Sequence, residues 1–153
     1  MIQRIQSIWL LLAAVSISCL LFLPIVTTTD LIGMKFYIIA SGLYQQVGGT
    51  DRQVESFLPL LISVSAVAIM CFFNIFNFKK RKLQKQLIYA TIAFIIGLSF
   101  WCSVYAKKIP GGVETANYDT GMFLPPLAIA LCLLAIRGIN RDEALLRSAD
   151  RLR

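Results

Sequence analysis

The sequence contains no histidine. This absence removes bis-histidine haem ligation, most zinc sites and the side chain that most often relays protons near neutral pH. Its four cysteines, Cys19, Cys71, Cys102 and Cys132, form no C-x-x-C pair and lie among apolar neighbours. We therefore expect each cysteine to be a small, buried apolar side chain. We expect neither a thiol oxidoreductase nor a disulfide.

Other chemical signatures are missing as well. The chain has no phosphate-cradling glycine loop and no Ser-His-Asp constellation. Its adjacent carboxylates, Asp142 and Glu143, stand beside arginines, and we interpret them as capping residues at a helix start. These absences predict a protein that is not an enzyme, with no cofactor, no metal and no catalytic residue.

Four long apolar runs make up most of the chain. The chain has 153 residues and is 58% hydrophobic, whereas soluble domains are about 45–50% apolar. Runs of about 18 apolar residues can cross the hydrocarbon core of a bilayer. The fourth run is shorter, but Arg137 can snorkel to the interface and prolong it. We predict spans at 7–26, 58–78, 87–106 and 122–138.

The predicted fold class is an all-α membrane protein, a single antiparallel four-transmembrane-helix bundle over residues 1–153. Pro59 and Pro125 stand where the second and fourth helices begin, and proline is tolerated in a first helical turn. None of the runs has an ionisable side chain in its interior, which argues against a stand-alone ion-coupled carrier.

Basic residues predict the threading. With the N-terminus inside, eleven of the 15 lysines and arginines lie in the cytoplasm and four lie outside. This bias predicts a multi-pass protein of the bacterial inner membrane with both termini cytoplasmic. The net charge of +7 is then explained by membrane-flanking residues, so we expect membrane lipids as partners and no nucleic acid.

The first outer loop predicts a possible small β-sheet. Residues 34–40 are rich in β-branched and aromatic side chains, and Gly48-Gly49 is a natural turn. We expect one or two short strands here, supported by residues 107–115 of the second outer loop, because an isolated hairpin is marginal in water.

The C-terminal residues 140–153 predict a cytoplasmic amphipathic tail helix. Asn140 and Glu143 have the spacing of a capping box, and Glu143 and Arg147 that of an ion pair. The tail either extends helix four along the membrane surface or docks a partner. The possible docking residues are Arg141, Glu143, Leu145, Arg147, Asp150 and Arg151.

A second possible site lies between the second and third runs. Its residues are Lys79, Lys80, Arg81, Lys82 and Asn77. The simplest interpretation is stop-transfer charge, and the alternative is contact with an anionic lipid head group. Asn74, one turn before Asn77, more often joins helices than binds a ligand.

The two ends of the chain carry a resemblance. The start, residues 1–13, and the finish, residues 141–153, resemble a family of small integral membrane proteins from Bacteroidota, the domain of unknown function 4293. The resemblance implies an inner-membrane protein with four helices and implies no activity. We expect a non-enzymatic accessory or scaffold subunit of an envelope complex. The alternative is a membrane protein that binds lipid or a hydrophobic small molecule.

Overall fold

The computed structural model describes residues 3–29, 33–77, 81–110 and 116–150, without the side chains of residues 3–5 and 146–150. Its helices and strands follow the order α, four β, two α, β and α. They are α1 (Gln3–Cys19), β1 (Val26–Thr29), β2 (Lys35–Ile39), β3 (Gly42–Val47), β4 (Thr50–Ser56), α2 (Leu58–Phe76), α3 (Arg81–Ala106), β5 (Asn117–Tyr118) and α4 (Leu124–Asp150).

The helices pack side by side, with α1 and α3 each lying between α2 and α4. Three helical segments are long and apolar enough to cross a membrane, namely Leu58–Phe76, Arg81–Ala106 and Thr120–Leu145. These lengths support a membrane protein. The apolar part of α1, Gln6–Cys19, is shorter, so a bundle of four transmembrane helices stays a prediction.

The predicted first span, 7–26, is wrong in its extent. α1 ends at Cys19, residues 20–23 turn, and β1 begins at Val26. Three of the apolar residues beyond the helix, Leu20, Ile25 and Val26, are nevertheless buried in the core, whereas Phe22 and Leu23 are exposed. Apolar composition alone does not separate a helix that crosses a membrane from a helix followed by a buried strand.

The two proline-marked helix starts are confirmed. Pro59 lies in the first turn of α2, and α4 begins at Leu124, directly before Pro125. A 3₁₀ turn at Thr120–Phe123 precedes α4, and the Asp119 side chain accepts a hydrogen bond from the Thr120 amide at 2.7 Å. This cap satisfies an amide that has no partner inside the turn.

The outer loops form a five-stranded antiparallel sheet in the order β4-β3-β2-β1-β5. The predicted Gly48-Gly49 turn is confirmed, because both glycines have positive φ, 59° and 87°, between β3 and β4. Residues 107–110 of the second outer loop form turns and no strand, although the Lys108 side chain bonds to Glu55 of β4. Residues 111–115 lie outside the described residues. The fifth strand is instead Asn117–Tyr118, which pairs with β1.

One row of the sheet faces the helices. Val26, Ile38 and Leu43 are register partners on neighbouring strands, and all three are buried. Phe57, between β4 and α2, packs on Tyr105 of α3 with ring centroids 4.3 Å apart. The sheet is thereby joined to one end of the helices, which we call the sheet end.

Large apolar side chains cover the outer surface of the helices. Phe72, Phe73, Phe94 and Phe100 are each exposed by more than half. Such a contiguous apolar surface on all sides is typical of contact with lipid. Groups that could take part in polar chemistry therefore lie at the two ends of the molecule.

Candidate functional site at the basic end of the helices

Each helix has a buried seam whose residues recur at alternating steps of three and four. In α3 the seam is Gln84, Ile88, Thr91, Ile95, Leu98 and Cys102. This spacing is that of heptad packing between helices. Among the side chains that the structure describes, the last seam residue of every helix at one end of the molecule is polar and buried, and we call this set the inner polar cluster. Its members are Gln6, Asn74, Gln84 and Asp142.

Hydrogen bonds join the cluster in pairs. The Gln6 Nε2 donates to the Asp142 Oδ2, which links α1 to α4. The Gln84 Nε2 donates to the backbone carbonyl oxygen of Asn74 at 3.4 Å, which links α3 to α2. Lys85 and Glu143, which directly follow Gln84 and Asp142, are also in contact, so the two hydrogen-bonded pairs lie at the same height along the helices.

That contact is an ion pair between α3 and α4. The Lys85 Nζ lies 2.8 Å from the Glu143 Oε2 and 3.4 Å from the Asn140 Oδ1. Both charged side chains are partly exposed, so the pair contributes at most about 1 kcal/mol. Its larger consequence is geometric, since it holds the C-terminal part of α4 against the first turns of α3.

Several buried polar atoms of this end have no hydrogen-bond partner within the described part of the chain. They are the Asn74 Oδ1 and Nδ2, the Gln84 Oε1, the Asp142 Oδ1 and the Arg81 Nη1. A buried polar atom without a partner costs about 1–3 kcal/mol. The inner polar cluster therefore combines donors and acceptors in a position where a hydrophobic seam would be more stable.

The predicted tail helix is continuous with α4, which runs through Asn140 to Asp150. This continuity agrees with the alternative in which the tail extends helix four, whereas the predicted helix start at Asn140 is wrong. Asp142 is a seam residue and only 6% exposed, and it caps nothing. Periodicity explains the error, because the apolar seam of α4 reaches Asp142 without a break at the supposed start.

The structure separates the predicted docking residues. Arg141 and Leu145 are exposed, whereas Glu143 is held in its ion pair with Lys85. Arg147 and Asp150 lie on α4, but their side chains are not described, and Arg151 lies outside the described residues. Among the docking residues whose side chains are described, Arg141 and Leu145 are the accessible pair.

The predicted head-group site is also divided. Arg81 and Lys82 lie in the first turn of α3, and Asn77 ends α2. Lys79 and Lys80 lie outside the described residues. Asn74 belongs to the inner polar cluster and is buried, so it shares no surface with Asn77.

The two described acids at this end are both paired. Asp142 is buried against Gln6, and the partly exposed Glu143 forms its ion pair with Lys85. Arg137, Arg141 and Lys82 are exposed. The outer surface of this end is therefore positive, and we call it the basic end.

Sequence reasoning did not single out Gln6 or Gln84. The signal that identifies them is the heptad itself, which continues from apolar residues into a polar residue in each helix. In the described ranges no three His, Cys, Asp or Glu residues are grouped as metal ligands.

A protein-family model matches residues 2–152, nearly the whole chain. Its description is Domain of unknown function (DUF4293). No curated protein matches the chain.

Proposed function

Since the chain belongs to the DUF4293 family, whose description assigns no function, we propose its role from its own geometry. It is a non-enzymatic accessory subunit of the bacterial inner membrane. The basic end faces the cytoplasm and docks an acidic segment of a partner protein. This proposal makes Arg141 the central contact of the docking surface, with Leu145 one turn further along α4.

The observation that supports this role is that Arg141 is exposed at the basic end while the two acids that follow it are paired elsewhere. An exposed arginine contributes to binding only if its charge is not already neutralised by a neighbour. Asp142 bonds to Gln6, and Glu143 pairs with Lys85. Electrostatic complementarity with an acidic partner would raise the association rate and select the partner.

The test is a charge reversal at Arg141. In Arg141→Glu, partners that co-purify from native membranes in mild detergent should bind about tenfold more weakly. The matched control is Arg52→Glu, because Arg52 is an exposed arginine on β4 at the sheet end. Point changes are preferable to deletion of the tail, since deletion would remove Asp142 from the inner polar cluster.

Crosslinking mass spectrometry reads out the result. The proposal would be contradicted if both variants lost the same partners, or if both variants kept them. If Arg141→Glu instead abolishes binding to anionic vesicles while protein partners stay, the basic end contacts lipid and not a protein.

A second role, lipid binding, is favoured by a groove between α1 and α2. The groove has a volume of about 570 Å³ and an almost wholly apolar lining that includes Ala14, Ser18, Ala68 and Phe72. Ala14 and Ser18 are small residues one turn apart, which leave room for a hydrocarbon chain. Replacing Ala14 by Phe should fill the groove and reduce the lipid retained in native mass spectrometry, while Ala90→Phe, in α3 outside that lining, should not.

A further inference from the structure

A second groove, of about 590 Å³, lies at the sheet end, opposite the basic end. It opens on the face of the sheet that carries Tyr37. Two cross-strand rows form this face. One row pairs Thr27 with Tyr37 and Tyr37 with Tyr44. The other row joins four strands through Thr29, Lys35, Gln46 and Asp51, all of which line the groove.

The second row supplies a mixed set of hydrogen-bonding groups. It has a hydroxyl, an ammonium, an amide and a carboxylate, so it both donates and accepts. The charges of Lys35 and Asp51 balance, which does not favour a strongly anionic ligand. A ligand that fits must offer several neutral groups that donate and accept at once. Sugar hydroxyls have this property.

Tyr37 fixes the centre of the groove. Its ring stacks on that of Tyr44, with centroids 5.4 Å apart and planes inclined by 10°. Its hydroxyl lies close enough to the Asp51 carboxylate to interact with it. Both contacts restrict the side chain before a ligand arrives, and such preorganisation lowers the entropic cost of binding.

The groove has an apolar lip at the end of α1. Phe22 and Pro24 line this side, and Phe22 is 78% exposed. Phe22 follows Ser18 by four residues, and Ser18 lines the apolar groove between α1 and α2. The backbone turns helically here, since the Leu23 amide donates to the Cys19 carbonyl at 2.9 Å. The lip therefore lies about one helical turn from the apolar groove.

We propose that the sheet-end groove binds the sugar head of a glycosylated amphiphile, whose hydrocarbon chain passes over Phe22 into the groove between α1 and α2. The polar row selects the sugar, and the lip selects the amphiphile over the free sugar. The chain part rests on the lipid-binding role proposed above, whereas the sugar part does not.

Photolabelling of the full chain in phosphatidylcholine nanodiscs tests this proposal. The probe is octyl glucoside with a photoreactive group on its chain, and peptide mass spectrometry maps the labelled residues. Labelling should fall on Phe22 and on the two segments that line the groove between α1 and α2, residues 11–18 and 68–73. Tyr37→Ala should lower its yield about tenfold. The matched control is Tyr118→Ala, because Tyr118 is an exposed tyrosine of the same sheet, on β5, and does not line the groove.

Competitors separate the two parts of the proposal. Plain octyl glucoside should displace the probe, and octyl phosphocholine should not. Equal displacement by both would overturn the sugar assignment, as would equal labelling of the two tyrosine variants. Methyl glucoside that competes as well as octyl glucoside would overturn the chain part alone. If Tyr37→Ala does not fold, Gln46→Ala replaces it as the test variant. This change in the polar row should also lower the labelling yield.

Discussion

Asp142 is a carboxylate packed in the seam between helices, where it accepts a hydrogen bond from Gln6. Burying a charged group is costly unless its hydrogen bonds are made. The neighbouring Arg141 is exposed to solvent. Adjacent residues of one helix therefore have different tasks, since Asp142 contributes to packing and Arg141 is available for contact with a partner.

Truncation of Asp142 should destabilise the protein. Asp142→Ala leaves the Gln6 amide group buried without its acceptor, so the free energy of unfolding should fall by about 1–3 kcal/mol. Arg141→Ala should change it by less than about 0.5 kcal/mol, because the side chain is exposed. Thermal unfolding in detergent followed by circular dichroism measures both. Equal losses in the two variants would contradict a structural role of Asp142. In the double variant Gln6→Ala/Asp142→Ala, the loss in free energy of unfolding should be smaller than the sum of the two single losses.

Tyr37 should titrate above the ordinary tyrosine range. Desolvation raises the pKa of its hydroxyl above 10.0, and the interaction with the Asp51 carboxylate raises it further. A folded-state pKa above the unfolded value stabilises the fold in full below pH about 10, and this contribution is lost as the pH rises through the folded pKa. The difference in absorbance titration near 295 nm between wild type and Tyr37→Phe isolates this group. Asp51→Asn should lower the pKa part of the way, and no change would refute the contact.

The hairpin between β3 and β4 and the helix α3 show how one residue type acts differently in two elements. Gly49 has a φ of 87°, in the left-handed region, with no atom near its missing Cβ. Gly97 lies within α3 and also has open space there. Backbone conformation, and not space, therefore decides the effect of adding a methyl group.

Alanine at these two glycines should act in opposite directions. Gly49→Ala forces an L-residue into the left-handed region and should cost about 1–2 kcal/mol. Gly97→Ala should stabilise α3 by about 0.5–1 kcal/mol, since alanine loses less conformational freedom in a helix. Unfolding midpoints of the two variants, compared with wild type, check the signs. A stable Gly49→Ala would mean that the turn has another conformation.

At the scale of the whole molecule, three layers follow one another. The basic end carries exposed cations, the helices carry an apolar surface, and the sheet end carries the polar groove. The joint at the sheet end is itself polar, because the Lys108 Nζ lies 2.5 Å from the Glu55 Oε1 and 5.3 Å from the Phe57 ring centroid. The two proposed binding surfaces are thus on opposite ends and, in a membrane, on opposite sides.

Accessibility labelling tests this arrangement. In a variant with its four cysteines replaced by alanine, Arg52→Cys should react with a membrane-impermeant maleimide from the outer side of the inner membrane. Arg141→Cys should react only after that membrane is permeabilised. Both side chains are exposed, so a difference reports sidedness and not burial. The reverse pattern would place the termini outside and contradict the positive-inside prediction.

The amino-acid sequence by itself determined three helices long and apolar enough to cross a membrane, the turn at Gly48-Gly49 and the proline-marked helix starts. These features depend on local composition and backbone preference, which a chain carries at each position. Tertiary structure decided where α1 ends, because Ile25 and Val26 are equally apolar in a span and in a buried strand. It also decided that Asp142 faces Gln6 while Arg141 faces solvent, since partners 136 residues apart meet only when the helices pack. The sheet-end groove has the same origin, as four strands must align before Thr29, Lys35, Gln46 and Asp51 form one row.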